Sequence, residues 1–189
     1  YELALSSINA YLNKYPQHTR TDEARVLLGD IEMGRGELAT ARAIFTEISP
    51  NAGHLFVYSA FQAGEILRAV AEAAENKVAR ERLLSSHIEH FQNYLNREDV
   101  PLKDRISEAL YWVGWTHVER GEEDLARMIF EQALSLYGDD IDSGDVPTII
   151  DAYARIEKRL LGVGKKEREA RLKSWIEEEK AKAQQADRL

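Results

Sequence analysis

The chain has 189 residues, 44% hydrophobic and 31% charged, which suits a folded, helical protein forming one domain or a short stack of repeated units. Its net charge of −8 argues against nucleic acid or an anionic membrane surface as partner, and no stretch approaches the roughly 18 apolar residues of a membrane span. Cysteine is absent, which excludes thiol catalysis, disulfides and cysteine-ligated metal.

The chain opens on Tyr1 without a signal peptide, which reads as a processed chain or a piece of a longer one. Residues 1–15 read as one amphipathic helix, ended by Pro16, with Ala4, Ile8 and Tyr11 at offsets 0, 4 and 7. Thr21 is expected to cap a helix over about 22–34, and 37–49 is its partner. Here Gly29 and Gly36 stand seven apart, and Ala41, Phe45 and Ile48 follow Gly29 by twelve, sixteen and nineteen.

Residues 54–96 depart from this spacing. Tyr58, Phe61, Gly64 and Leu67 fit a first helix, and His87, Phe91 and Tyr94 fit a second, with His87 where a small residue is expected. Gly64 to His87 is 23 residues instead of twelve. The stretch between is rich in helix formers and free of Pro and Gly, so both helices are expected to be longer, about 54–75 and 78–96. Asp99 and Pro101 open the next pair, about 102–120 and 122–137. In it Gly114 and Gly121 again stand seven apart, and Ala126, Phe130 and Ala133 follow Gly114 by twelve, sixteen and nineteen.

A loop, YGDDIDSGDVP, leads to a helix over about 146–161, which Gly162 and Gly164 break. The last segment is a polar helix with Leu172, Trp175 and Ile176 as its apolar cluster; it reads as a terminal cap whose end frays beyond about Glu178. About nine helices and no strand are expected.

Two glycines, an alanine and a phenylalanine at fixed offsets arise by chance at roughly one placement in 10⁵. Their recurrence points to an internal repeat that resembles the tetratricopeptide repeat, a pair of antiparallel helices in about 34 residues. The resemblance implies an all-α, right-handed superhelical solenoid of helix pairs. Its parts would be a half repeat at 1–15, a repeat at 22–55, an elongated repeat at 56–97, a repeat at 107–140, and a degenerate repeat with a capping helix at 146–187. In this reading Gly29 and Gly114 let the second helix pass closely, Ala41 and Ala126 are the small partners, and Phe45 and Phe130 fill the space toward the next pair. Gly36 and Gly121 end the first helices in the left-handed conformation. Glu37 and Glu122 open the second helices, where a negative charge is favoured.

The resemblance also places a partner-binding, concave face on the first helix of each pair. Its candidates are Val26, Asp30 and Met33; Tyr58, Phe61, Glu65 and Arg68; and Glu108, Tyr111, Trp115 and Val118. Each set has helical spacing and makes one stripe, either exposed as a groove for a protein or peptide segment or partly packed against the neighbouring helix. Some members of the family grip a C-terminal carboxylate with Lys, Asn and Arg. Asp30 and Glu65 stand at comparable places here with only Arg68 basic, so a carboxylate clamp is not expected.

Other chemistry is weakly supported. His87 and His90 have a spacing that can bind metal, but no Glu-x-x-His accompanies them, and His117 reads as a packing residue. Asp139, Asp140, Asp142 and Asp145 lack the glycine and bidentate glutamate of a calcium loop. No nucleophile elbow or phosphate loop is present, and no cofactor or metal is expected. The expectation is a non-catalytic interaction module or scaffold. The alternatives are a recruiting or regulatory segment of a larger enzyme, and a self-associating scaffold. The Tyr15–Pro16 ending and the small-residue loop also resemble bacterial envelope members of the family, those of outer-membrane assembly and of the Tol–Pal system. That resemblance slightly favours periplasm over cytoplasm.

Overall fold

A computed structural model describes residues 1–97 and 105–137, with the side chains of 107 and 134–137 excepted. Within them lie seven α-helices, one 3₁₀ turn at Pro50–Ala52 and no strand. The helices are α1 (Glu2–Lys14), α2 (Thr21–Gly34), α3 (Leu38–Thr46), α4 (His54–Ala73), α5 (Lys77–Leu95), α6 (Ile106–Glu119) and α7 (Glu123–Tyr137). The two helices expected after residue 145, and the aspartate-rich loop before them, lie outside the described residues. The chain divides into two compact units, Tyr1–Lys103 and Asp104–Leu189.

The helix ends follow from local chemistry. Gly36 and Gly121 have φ of +83° and +76°, where any side chain would be strained. Each closes its helix with the same pair of bonds: Gly36 N–H to Met33 O and Glu37 N–H to Glu32 O, and Gly121 N–H to Val118 O and Glu122 N–H to His117 O. These are the crossed bonds of a Schellman ending, which satisfy carbonyls the helix leaves open. The Asn76 side chain accepts from the amides of Val78 and Ala79 and so caps α5. Thr21 is not the cap that the sequence suggests. It is already helical and buried, and its hydroxyl donates 3.1 Å to the carbonyl of Tyr15, tying the start of α2 to the end of α1.

In the first unit each helix packs on the next along the chain, and α2 also meets α4. That second contact is what a stack of helix pairs requires and a closed hairpin lacks. With 20 and 19 residues, α4 and α5 exceed the 14 and 9 of α2 and α3. In the second unit α6 packs on α7.

The glycine spacing has a more specific cause than a Gly–Ala contact. A Cβ added to Gly29 would lie 2.6 Å from the Phe45 ring, and one added to Gly114 would lie 2.6 Å from the Phe130 ring. A Cβ on Gly64 would collide with Phe91 in the same way. Each phenylalanine therefore seats its ring on the bare backbone of its own first helix. Ala41 and Ala126 are fully buried beside these rings. Phe45 also reaches onward, meeting Tyr58 of α4 edge to face at 6.3 Å between ring centres. The elongated pair thus keeps the same aromatic lock despite its longer helices.

Candidate functional site

In the first unit the candidate face is built by α2 and α4. The hydroxyl of Tyr58 donates 2.8 Å to Asp30 Oδ1, so the two first helices are joined through residues that both belong to the expected stripe. Burial, followed by the bond to Asp30, pushes the Tyr58 phenol up to about 12, so it remains a donor throughout the neutral range. Met33 and Tyr58 are half-buried and rest on the core formed by Ala41, Phe45, Ala63 and Ile66. Each keeps part of its surface in solvent.

Further along α4, Arg68 lies between two carboxylates. Its Nε donates 2.9 Å to Glu65, a second nitrogen also bonds Glu65, and a third donates 2.6 Å to Glu72. The bond to Glu65 chiefly raises the already high guanidinium pKa, against a smaller opposing effect of burial. The guanidinium is thus already engaged by two carboxylates, which is a second reason against a carboxylate clamp. Glu72 was not among the sequence candidates. It stands four residues after Arg68, a spacing that helical ion pairing would have flagged.

Two candidates do not reach the surface. Val26 and Phe61 are each 7% exposed. Both stand three residues before the glycine of their helix and share its face, toward the paired second helix. Phe61 lies edge to face on Phe91 and Tyr94 of α5, at 5.3 and 5.4 Å between ring centres. These two residues belong to the core of the helix pairs and leave the candidate face.

Of the histidines of α5, His87 is a core residue and His90 is half-buried. His87 is 1% exposed and edge-on to Phe91. Burial first, and then the nearby His90 and Arg68, lower its pKa to about 4. His90 Nε2 lies 2.6 Å from the Ala60 carbonyl, to which it donates, and burial lowers its pKa as well. Among the described residues, no three His, Asp or Glu side chains gather as metal ligands.

In the second unit the face of α6 carries Glu108, Tyr111, Trp115 and Val118, all half-buried. Arg105 holds Glu108 with two bonds of 2.8 and 3.0 Å. Tyr111 stands three before Gly114 and accordingly meets Phe130, the two rings tilted with 6.0 Å between their centres. Trp112 lies off the stripe but stacks edge-on with Tyr111 and Trp115, at 4.9 and 6.0 Å. It extends the aromatic surface beyond what the 3/4 spacing selects. His117 does more than pack: its Nδ1 lies 2.6 Å from Glu122 Oε2, while Arg120 bonds the other oxygen at 3.0 Å. The pair bridges the turn between α6 and α7.

Residues 108–140 match the tetratricopeptide repeat family model. No curated protein sequence matches the chain significantly. Among solved structures, the chain is similar to a thermophilic TPR protein of Thermus thermophilus, at 18% identity and a TM-score of 0.54, over 95% of this chain and 82% of that one. That likeness spans both units and shows the fold. The all-helical architecture, the glycine-seated aromatic locks and these matches agree: the chain carries a tetratricopeptide repeat at 108–140 and has the helix-pair fold of tetratricopeptide repeat proteins.

Proposed function

We propose that this chain is a protein-interaction module that holds a partner segment against the faces of first helices, on α2 and α4 within the first unit, with α6 carrying a face of the same kind in the second. Helix-pair repeats of this kind generally serve protein–protein contact. The observation that carries the reading here is the Tyr58–Asp30 bond. It fixes α2 against α4 before any partner arrives, so binding need not order that face. Half-exposed Met33, Tyr58, Tyr111, Trp112 and Trp115 supply the apolar and aromatic anchors that recognition surfaces favour. On the α2–α4 face, Asp30, Glu65 and Glu72 outnumber Arg68, so the segment it suits is apolar with basic residues and is not a C-terminal carboxylate. By resemblance of its Tyr15–Pro16 ending, the partner belongs among bacterial envelope proteins.

The test is capture of a partner from a bacterial envelope extract by the purified chain and by the double variant Tyr58→Ala/Trp115→Ala. Loss of capture with unchanged helical circular dichroism is expected. Undiminished capture by the folded double variant would remove this reading.

A further inference from the structure

The second helices α3 and α5 each pack on α4. Where they do so a cavity of about 190 Å³ remains among the three helices. On α4, Ala60 and Ala63 line it, and their short side chains leave room that a longer residue would fill. Phe45 and Thr46 line it from α3, and His90 and Asn93 from α5. Two more rings complete the wall: Phe56 is stacked on Tyr94 with 6.4 Å between ring centres, and the Arg97 guanidinium lies 4.8 Å from the centre of the Phe56 ring.

No carboxylate lines this cavity. Beside it stands Arg42, three and four residues before Phe45 and Thr46 and so on the same face of α3. Its charge reaches His90: burial first, and this guanidinium after it, disfavour protonation of that imidazole. Arg20, Arg25, Arg35 and Arg68 of the same unit each hold a carboxylate three or four residues away. Arg42 has Leu38, Ala39, Phe45 and Thr46 at those distances. Among the described residues its Nε is buried with no hydrogen-bond partner. A buried guanidinium nitrogen without an acceptor is costly, and a carboxylate would satisfy both the donor and the charge.

Size narrows the occupant. An apolar cavity of about 150 Å³ takes benzene, whereas pockets that enclose a drug-sized ligand start near 300 Å³. The cavity here therefore suits one aromatic ring, for which Phe45, Phe56 and Tyr94 offer edge-to-face partners. We propose that it anchors a phenylalanine from an acidic helical segment of a partner protein, with a Glu or Asp one helical turn away seated on Arg42. A second copy of this chain has no such anchor to offer. Of its five phenylalanines, Phe45, Phe61, Phe91 and Phe130 are at most 7% exposed and Phe56 is half-buried. Charge also separates this segment from the basic one proposed for the α2–α4 face. No residue of that stripe lines the cavity, so the two sites are tested independently.

The test titrates the 189-residue chain with a peptide of about four helical turns, Phe at its centre and Glu one turn to either side, followed by amide NMR. Saturable shifts are expected at Thr46 and Asn93, and replacing the peptide's Phe by Ala is expected to abolish them. Arg42→Gln is expected to weaken the Glu peptide about tenfold or more and to leave a Gln-substituted peptide unaffected, because the carboxylate loses its charged partner. Asn93→Trp, at an exposed helical position, is expected to close the cavity and abolish binding with unchanged circular dichroism. Absence of saturation, equal affinity for the Glu and Gln peptides, or undiminished binding to Asn93→Trp would overturn the proposal. A concentration-dependent dimer dissolved by Asn93→Trp would overturn it in favour of a second copy.

Discussion

The Tyr58 hydroxyl of α4 donates to Asp30 of α2 at 2.8 Å, across 28 residues of sequence, and joins the first helices of two successive pairs. Tyr58→Phe keeps the ring against Phe45 and removes only this bond. A loss of about 1 kcal/mol is expected from urea unfolding, because half-buried Asp30 can recover water in place of its lost donor. A change indistinguishable from zero would mean that the bond does not hold α2 to α4.

At an ordinary exposed helix position Gly→Ala stabilises by up to about 1 kcal/mol. At Gly29 and Gly114 the sign is expected to reverse. The added methyl meets the ring of Phe45 or Phe130, which are 2% and 0% exposed and have nowhere to retreat. Overpacking of this kind costs about 1–3 kcal/mol. Thermal unfolding of Gly29→Ala and Gly114→Ala reads it directly, and a raised midpoint would refute the aromatic lock.

His87 makes stability sensitive to acid. An unfolded histidine titrates near 6.5, whereas folded His87 resists the proton down to about 4. Above pH 6.5 neither state is protonated and pH has no effect through this group. Between 6.5 and about 4 the unfolded chain binds a proton that the fold refuses, so stability falls by up to about 1.4 kcal/mol per pH unit. Below about 4 both states take the proton and the loss levels off. His90, lowered in the same direction, adds to the slope. Urea midpoints at pH 7 and pH 5 should therefore differ more in wild type than in His87→Leu; equal differences would contradict the assignment.

Glu72 is half-open to solvent, so its pair with Arg68 contributes little to stability. Glu72→Gln is expected to leave the unfolding midpoint almost unchanged, within about 0.5 kcal/mol. The same change makes the α2–α4 face less acidic. Its affinity for a basic partner segment should fall and become less salt-dependent, as calorimetry at two ionic strengths would show.

The sequence by itself determined the helix pairs and their ends. Gly36 and Gly121 mark the turns because only glycine adopts their backbone conformation without strain, and that requirement is local. The Gly-to-Phe spacing likewise announces close contact within a pair, because one short turn fixes which residues of the two helices meet. What periodicity could not supply was the identity of the nearest contact, a phenylalanine ring seated on the glycine. It also could not divide a helical stripe into its buried and open members. Val26 and Phe61 went inside because they share the glycine's face, while Tyr58 stayed half-open and found Asp30 on another pair. The pairing of Arg68 with Glu65 and Glu72 follows helical spacing and was legible, whereas the burial of His87 that lowers its pKa was not. Burial, and the proton affinity that burial sets, depend on neighbours brought from distant parts of the chain, so tertiary packing alone decided them.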